Sequence, residues 1–339
     1  MKTIINTIVA VALLALTATT ATARSWRINS DATKGADFAD INAAMNSDEV
    51  QAGDTLYLDP GCQLTATQNV TKRVSIVGCG YYLNAAVYLP ATIKGTLYLK
   101  AQGCKIEGAN ISGTTYVQAS NVTIERCCTK DIIPSGTALY AVIRQCYVND
   151  AHVGPKNTKN VNWNYWTVEN CIILHNDTYG CISDLSYATI RNNYLREGNS
   201  NTNTINRCDN GIITNNIVLN TGNTGSNYYE PTNSIIKNNI FSRTADTNYP
   251  DNVFLGGKAV EQDIFTLEGT NDQRYTLKAD SPARGVATDG GDCGPYGGAT
   301  PYVVSGLPKG HPYYLQYGVS SHAENGKVNV NLKIQLQDE

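Results

Sequence analysis

The segment Gly211-Ile-Ile-Thr-Asn-Asn216 returns almost unchanged as Ser234-Ile-Ile-Lys-Asn-Asn239. Four earlier segments carry the same pattern: Val122-Thr-Ile-Glu-Arg-Cys127, Ala141-Val-Ile-Arg-Gln-Cys146, Trp166-Thr-Val-Glu-Asn-Cys171 and Ala188-Thr-Ile-Arg-Asn-Asn193. Their last residues step by 19, 25, 22, 23 and 23 positions. A repeat of this length, with a β-branched centre and a polar turn, marks a stacked solenoid, because a single unit cannot bury its own apolar face. The chain is therefore expected to be all-β, with each repeat one coil.

Aligned on their last residue, the segments resolve into columns. Ile124, Ile143, Val168, Ile190, Ile213 and Ile236 form an inward, β-branched column. One residue on, Glu125, Arg144, Glu169 and Arg191 alternate in sign, as outward neighbours on stacked rungs should. The final column, three Cys and then three Asn, is expected at a tight turn, since Asn tolerates left-handed backbone and can bond to stacked copies of itself. Cys127, Cys146 and Cys171 share a register about 4.8 Å apart, wider than the Cβ separation a disulfide prefers, so buried thiols are expected. Irregular rungs precede the run, at Val74-Ser-Ile76, Ala91-Thr-Ile93 and Lys105-Ile106, giving on the order of ten coils in all.

Outside the repeat, Lys2, the apolar run Ile8 to Leu16 and Ala21-Thr-Ala23 read as a signal peptide cut after Ala23, predicting a secreted or periplasmic protein. Residues 24–58 are expected to form an N-terminal cap and first strand. Asp37-Phe-Ala-Asp-Ile-Asn-Ala-Ala-Met45 reads as its short helix, with Phe38, Ile41 and Met45 on one side, and Thr55-Leu-Tyr-Leu58 as its strand. A first coil needs such a cover over its raw end. Residues 59–245 hold the coils, and 246–339 the last coils, a C-terminal cap and a β appendage. Net charge is −3 with pI about 5.8 and no basic patch, which argues against a nucleic-acid partner. No later apolar run reaches membrane-spanning length. A monomer is expected.

The repeat, its Asn-Asn turn and the helical lead-in from Ala36 to Leu58 resemble the right-handed parallel β-helices of the pectin-lyase-like group. Gly78-Cys-Gly-Tyr-Tyr-Leu83 and the Ser281-Pro-Ala283 to Gly297-Gly298 ending look like secreted bacterial β-helix proteins. The likeness covers roughly residues 30 to 300. It implies a single right-handed parallel β-helix with a short N-terminal capping helix and a C-terminal β cap. It also implies that a polysaccharide lies along the first strand of each coil and the loops around it.

Any chemistry must then sit in the variable connections. Nine positions before the aligned residue come Asn162, Asp184, Arg207 and Glu230; four positions after it come Asp131, Asp150, His175, Glu197, Asn220 and Arg243. Stacked carboxylates, imidazole and guanidinium could neutralise a uronate and move protons, or be polar strand ends turning into solvent. Catalytic candidates are Asp184, Arg207, Glu230 and Lys156. Ligand contacts are expected from Asn162, Trp163, Tyr165, Trp166 and Lys159 in the longest connection, from His175 and Glu197, and from Tyr228 and Tyr229, because aromatic rings stack on sugars and lysines pair with acidic ones. The hydrolase branch of the group resembles a set of Asn-Thr-Asp, Asp-Asp, His-Gly and Arg-Ile-Lys, and none occurs here. The reading is a secreted protein interacting with a polysaccharide or surface glycan. The alternative is a lyase performing β-elimination on a uronate-containing glycan, ahead of a glycoside hydrolase or a structural surface protein. No cofactor is singled out; the separated carboxylates Asp289 and Asp292 suggest either a calcium site or a Gly-rich structural turn.

Overall fold

The computed structural model describes residues 23–336 apart from 83–88, 157, 159, 200, 223–224, 230, 244, 257–260, 309, 311, 320–325 and 329. Two candidate residues, Lys159 and Glu230, and nearly all of the signal peptide lie outside the described residues. The described chain is a right-handed parallel β-helix of three sheets. Sheet A has ten parallel strands, from Ser25–Ile28 to Ile235–Lys237, and sheet B ten, from Gln63–Leu64 to Val253–Phe254. Sheet C runs from Gln68–Val70 to Tyr228–Tyr229 in two pieces, which Val153 joins by bridging to both Ile132 and Ile182. Each coil visits A, B and C and returns beside its own start, a parallel crossover whose hand is set by the twist of L-residue strands.

The inward column is as the repeat reads. Ile124, Ile143, Val168, Ile190, Ile213 and Ile236 pair rung upon rung and are buried. The early rungs differ from expectation in one place. Ser75–Val77 and Lys105–Glu107 belong to sheet A, but Thr92–Ile93 belongs to sheet B, so the Ala91 segment is the next side of a coil and not a rung of its own. At the N-terminus the helix is shorter than its apolar spacing suggests, Ile41–Asn46. Asp40 starts it, its carboxylate accepting from the Ala43 N–H at 2.7 Å, as an N-cap does. Phe38 stays outside, bridged to Ile28.

The Cys/Asn column also differs. Cys127, Cys146, Cys171, Asn193, Asn216 and Asn239 all point inward and are fully buried. The left-handed residue is the one before: Arg126, Gln145, Asn170, Asn192, Asn215 and Asn238, with φ between 51° and 60°. The buried amides bond from rung to rung, Asn193 Nδ2 to Asn216 Oδ1 at 3.0 Å, Asn216 to Asn239 at 2.9 Å and Asn239 to Asn252 at 2.9 Å. Burial demands those partners. The ten cysteines are free thiols; Cys127, Cys146 and Cys171 each donate to the carbonyl two residues before, at 3.2 Å. On sheet A the charged column is joined laterally, with Arg191 2.6 Å from Glu169 and Lys105 bridging Glu107 and Glu125 at 2.7 and 2.8 Å.

The left-handed column is polar for a further reason. The segment from about 284 to 308 runs back along it, against the direction of stacking. Asn238 donates to the Val286 carbonyl at 2.8 Å, Asn215 to Thr288 at 3.1 Å, Asn170 to the Pro295 and Gly297 carbonyls at 2.9 and 2.7 Å, and Arg126 to the Leu307 carbonyl at 3.1 Å. Gly306 makes one crossing possible: a Cβ there would lie 2.2 Å from the Arg126 carbonyl oxygen. Ahead of it, Ile264, Phe265, Tyr275 and Leu277 cover the outward residues of sheet B, Tyr147, Ile172, Tyr194, Ile217 and Ile240. This second core was expected only as a terminal cap. Beyond it, Pro312–Val319 and Val330–Leu336 form an antiparallel hairpin, the β appendage.

Candidate functional site

Sheet B is covered and sheet A carries its ion-pair ladder, so sheet C is where the molecule presents side chains that the stack does not use. Leu97-Tyr98-Leu99 and Thr115-Tyr116-Val117 alternate in the way of a half-buried strand, with the flanking residues inward and buried. Tyr98 and Tyr116 point outward in register, rings 5.1 Å apart and nearly parallel at 12°. Lys100 lies over Tyr98, 5.1 Å from its centre. Neither tyrosine was foreseen. Their signal was the shared aliphatic-or-Thr, Tyr, aliphatic pattern eighteen residues apart, too short to stand out from the stronger repeat.

Farther along the same face, Asp131 gathers a cluster. Its carboxylate accepts from the His152 N–H at 3.1 Å, faces His152 Nδ1 at 3.0 Å and pairs with Lys156 at 3.0 Å. Burial pushes the Asp131 carboxyl up, but the His152 and Lys156 hydrogen bonds and the imidazole charge outweigh it and hold it well below the usual carboxylate range. His152 is buried, and its Nε2 has no hydrogen-bond partner among the described residues. Tyr179 leans on it at 5.7 Å, and Lys156 lies 5.2 Å above the Tyr179 ring. Gly154, with φ +119°, lets the chain pass: a Cβ would sit 2.1 Å from the Ser183 carbonyl oxygen.

The catalytic candidates Asp184 and Arg207 are brought together. Both have left-handed backbone just after sheet C, and Arg207 Nη2 lies 2.7 Å from Asp184 Oδ2, whose side chain is wholly buried. Asn162 does not join them. The Val153 bridge makes Pro155 level with Asp184, and Asn162 is exposed in the turn Val161–Trp163. The long connection contains an extra turn that simple counting could not show.

Several expected ligand contacts are structural instead. Trp166 is fully buried, because it occupies the inward position that Ala141 and Ala188 hold on adjacent rungs. Trp163 donates to the Gly136 carbonyl at 3.1 Å and leans on the core. Tyr228 follows Ile182 and Ile205 in the inward column and packs on Phe241 and Tyr249, its hydroxyl on Asp246 at 2.7 Å. Tyr229, next to it, points outward and is exposed. His175 and Glu197 are stacked partners, both buried, with Nδ1 2.6 Å from Oε2. Asn220 and Arg243 continue that line at 2.9 Å, so from His175 onward the second column is an internal polar ladder, while Asp150, earlier in it, is exposed. Tyr165 is exposed, but on the corner between sheets C and A.

For calcium, the Asp289 and Asp292 pair does not fit. Asp292 is held by Arg284 at 2.8 Å and by the Gly285 N–H, and Asp289 caps its own turn at Gly291. Among the described residues no group of three or more His, Cys, Asp or Glu side chains is placed to hold a metal ion, and no helix is long and apolar enough to cross a membrane.

No protein-family model matches the sequence, and no curated protein matches it. Among solved structures the chain is similar to one titled "Crystal structure of pectate lyase Pel9A", at 12% identity over 81% of this chain and 96% of that one, with a TM-score of 0.49. The fold stated above rests on the strand pairing of the chain itself.

Proposed function

We propose that this is an exported polysaccharide-binding protein that lays an extended acidic glycan along the outer face of sheet C. The carrying observation is that the C-terminal segment closes sheet B and leaves sheet C with paired tyrosines and lysines: Tyr98 and Tyr116 with Lys100, then Tyr179 with Lys156. Rings contact the apolar faces of sugars, and the Lys100 ammonium attracts carboxylates, whereas Lys156 and Arg207 are already paired with Asp131 and Asp184. Export is supported by the signal-like N-terminus, with the first strand starting at Ser25, just past the expected cut. In affinity electrophoresis, polygalacturonate should retard the wild type, less so as salt rises, and the Tyr98→Ala/Tyr116→Ala variant should lose most of the retardation. A variant that migrates like wild type removes this face from consideration.

One observation favours a second reading, β-elimination. His152 sits with Nδ1 3.0 Å from the Asp131 carboxylate and with no partner on Nε2 among the described residues, the arrangement by which a carboxylate orients an imidazole for general-base work. Uronate polysaccharides incubated with the protein would then develop the absorbance of an unsaturated product, and His152→Gln would abolish it. Silence across the panel, with and without calcium, leaves binding alone.

A further inference from the structure

Tyr140, Tyr165 and Tyr187 occupy one position on three successive rungs, at the corner where sheet C turns into sheet A. All three have left-handed backbone, φ 58°, 65° and 54°. The same position is Asn121 on the rung before and Asn210 and Asn233 on the rungs after, at φ between 54° and 59°. Asn is the residue that suits this backbone; Tyr does not. The three tyrosines are also exposed, at 51%, 42% and 48%. A bulky ring in strained backbone, held in water on three consecutive rungs where the neighbouring rungs use Asn, is not explained by folding.

The rings are stacked, 5.0 Å apart at 14° and 5.2 Å apart at 30°. Stacking covers the inner faces. Asn121 and Asn210 adjoin the ends of the stack, so the exposure of the three tyrosines is along their edges and hydroxyls. None of those hydroxyls has a hydrogen-bond partner among the described residues. The residues beside the tyrosines on their own rungs are uncharged: Leu139, Asn164 and Ser186 precede them, and Val142, Thr167 and Thr189 follow two positions on. On the next rung Asp209, whose carbonyl accepts from the Tyr187 N–H at 2.8 Å, adds a carboxylate and not a cation. That separates this surface from sheet C, where each tyrosine group has a lysine beside it.

We infer that Tyr140, Tyr165 and Tyr187 form a second glycan-binding surface, for a neutral, extended β-linked polysaccharide running along the stack. The ring spacing of 5.0 to 5.2 Å matches the advance of roughly one pyranose unit per rung, so successive sugar hydroxyls meet successive phenols and the sugars lie against the exposed ring edges. The absence of a nearby cation leaves nothing to select an acidic chain. The surface is independent of the sheet C reading and can stand without it.

The test is affinity electrophoresis in gels containing soluble β-1,4-glucan or xylan. Wild type should be retarded, and the Tyr140→Asn/Tyr165→Asn/Tyr187→Asn variant should bind at least tenfold more weakly. Asn is what the fold itself uses at this position, so melting should shift by no more than a few degrees. A triple Tyr→Phe variant, which keeps the stack and removes the hydroxyls, should weaken binding severalfold with melting unchanged. Tyr98→Ala/Tyr116→Ala should leave neutral-glycan binding intact, so loss there with the corner intact would return the ligand to sheet C. No retardation of wild type by either polymer, or equal retardation of wild type and the Asn variant, overturns the inference.

Discussion

Sheets B and C are built from the same coils with the same rung spacing, yet their outer faces differ in kind. Outward residues of sheet B from Tyr147 onward, Tyr147, Ile172, Tyr194, Ile217 and Ile240, are covered by the returning C-terminal segment, while Gln63 and Asn110 on earlier strands are half-buried. Those of sheet C include Asn69, Tyr98, Tyr116, Ile133, Asn206 and Tyr229, half-buried or exposed, and the Asp131–Lys156 pair lies on the same face. A solenoid cannot hide an apolar outer column unless something else covers it, and a covered face cannot meet a polymer. The C-terminal segment thus stabilises one face and, by its choice of face, leaves the other open, the face on which the proposed glycan would lie.

The largest test of that contrast is Phe265→Ala. Phe265 is buried against Tyr194 and Tyr275, 4.6 and 5.5 Å away. Its truncation should destabilise by about 3–5 kcal/mol in urea unfolding. Glycan retention by the remaining folded protein should be unchanged. If stability holds, the segment is not a second core; if retention falls with the protein folded, the two faces are not independent.

A smaller effect separates interior from cover at adjacent residues. Asn216→Ala removes a wholly buried amide that serves the Ile190 and Thr214 carbonyls and Asn239, which should cost roughly 2–3 kcal/mol. Asn216→Cys should cost less, because the upper rungs use a thiol at that position. Asn215→Ala, which releases the side-chain bonds with Thr288 in the covering segment and a longer one to Asn192 at 3.4 Å, should cost about 1 kcal/mol. Equal losses for Asn215 and Asn216 would mean that the covering segment and the interior ladder unfold as one unit.

The smallest effect belongs to sheet C and depends on pH. The Asp131 carboxyl is depressed in the fold, so its contribution is full above its unfolded value of about 3.9 and is lost as pH falls below that toward the folded value. The stability difference between wild type and Asp131→Asn should therefore be largest near pH 6 and shrink as the pH is lowered to 3. A difference that stays constant over that range would show that Asp131 is not held by His152 and Lys156.

Legibility followed the repeat. The Ile column, the outward charges and the strand at Thr55–Leu58 were readable because each depends on neighbours one rung away in an arithmetic that sequence preserves. The left-handed residue was misplaced by one, since Arg126 and Gln145 are not obvious turn formers; they are there to hold the C-terminal segment. Trp166 and Tyr228 looked like sugar-stacking residues and are core, because an aromatic residue in a loop-length segment does not declare which side of the next strand it will take. Tyr98, Tyr116 and the pairing of Asp131 with His152 depend on which strands become level across coils of unequal length, and Asn162 shows how one extra turn defeats that count.

What the sequence determined by itself was the coil: a period, an inward column and a polar turn, all short-range consequences of alternating side chains stacked at one spacing. Which face stays open was decided only in three dimensions. It depends on where the last fifth of the chain lies, and that path is set by carbonyls meeting Arg126, Asn170 and Asn238 and by Thr288 meeting Asn215, contacts between residues far apart in sequence that no local pattern records.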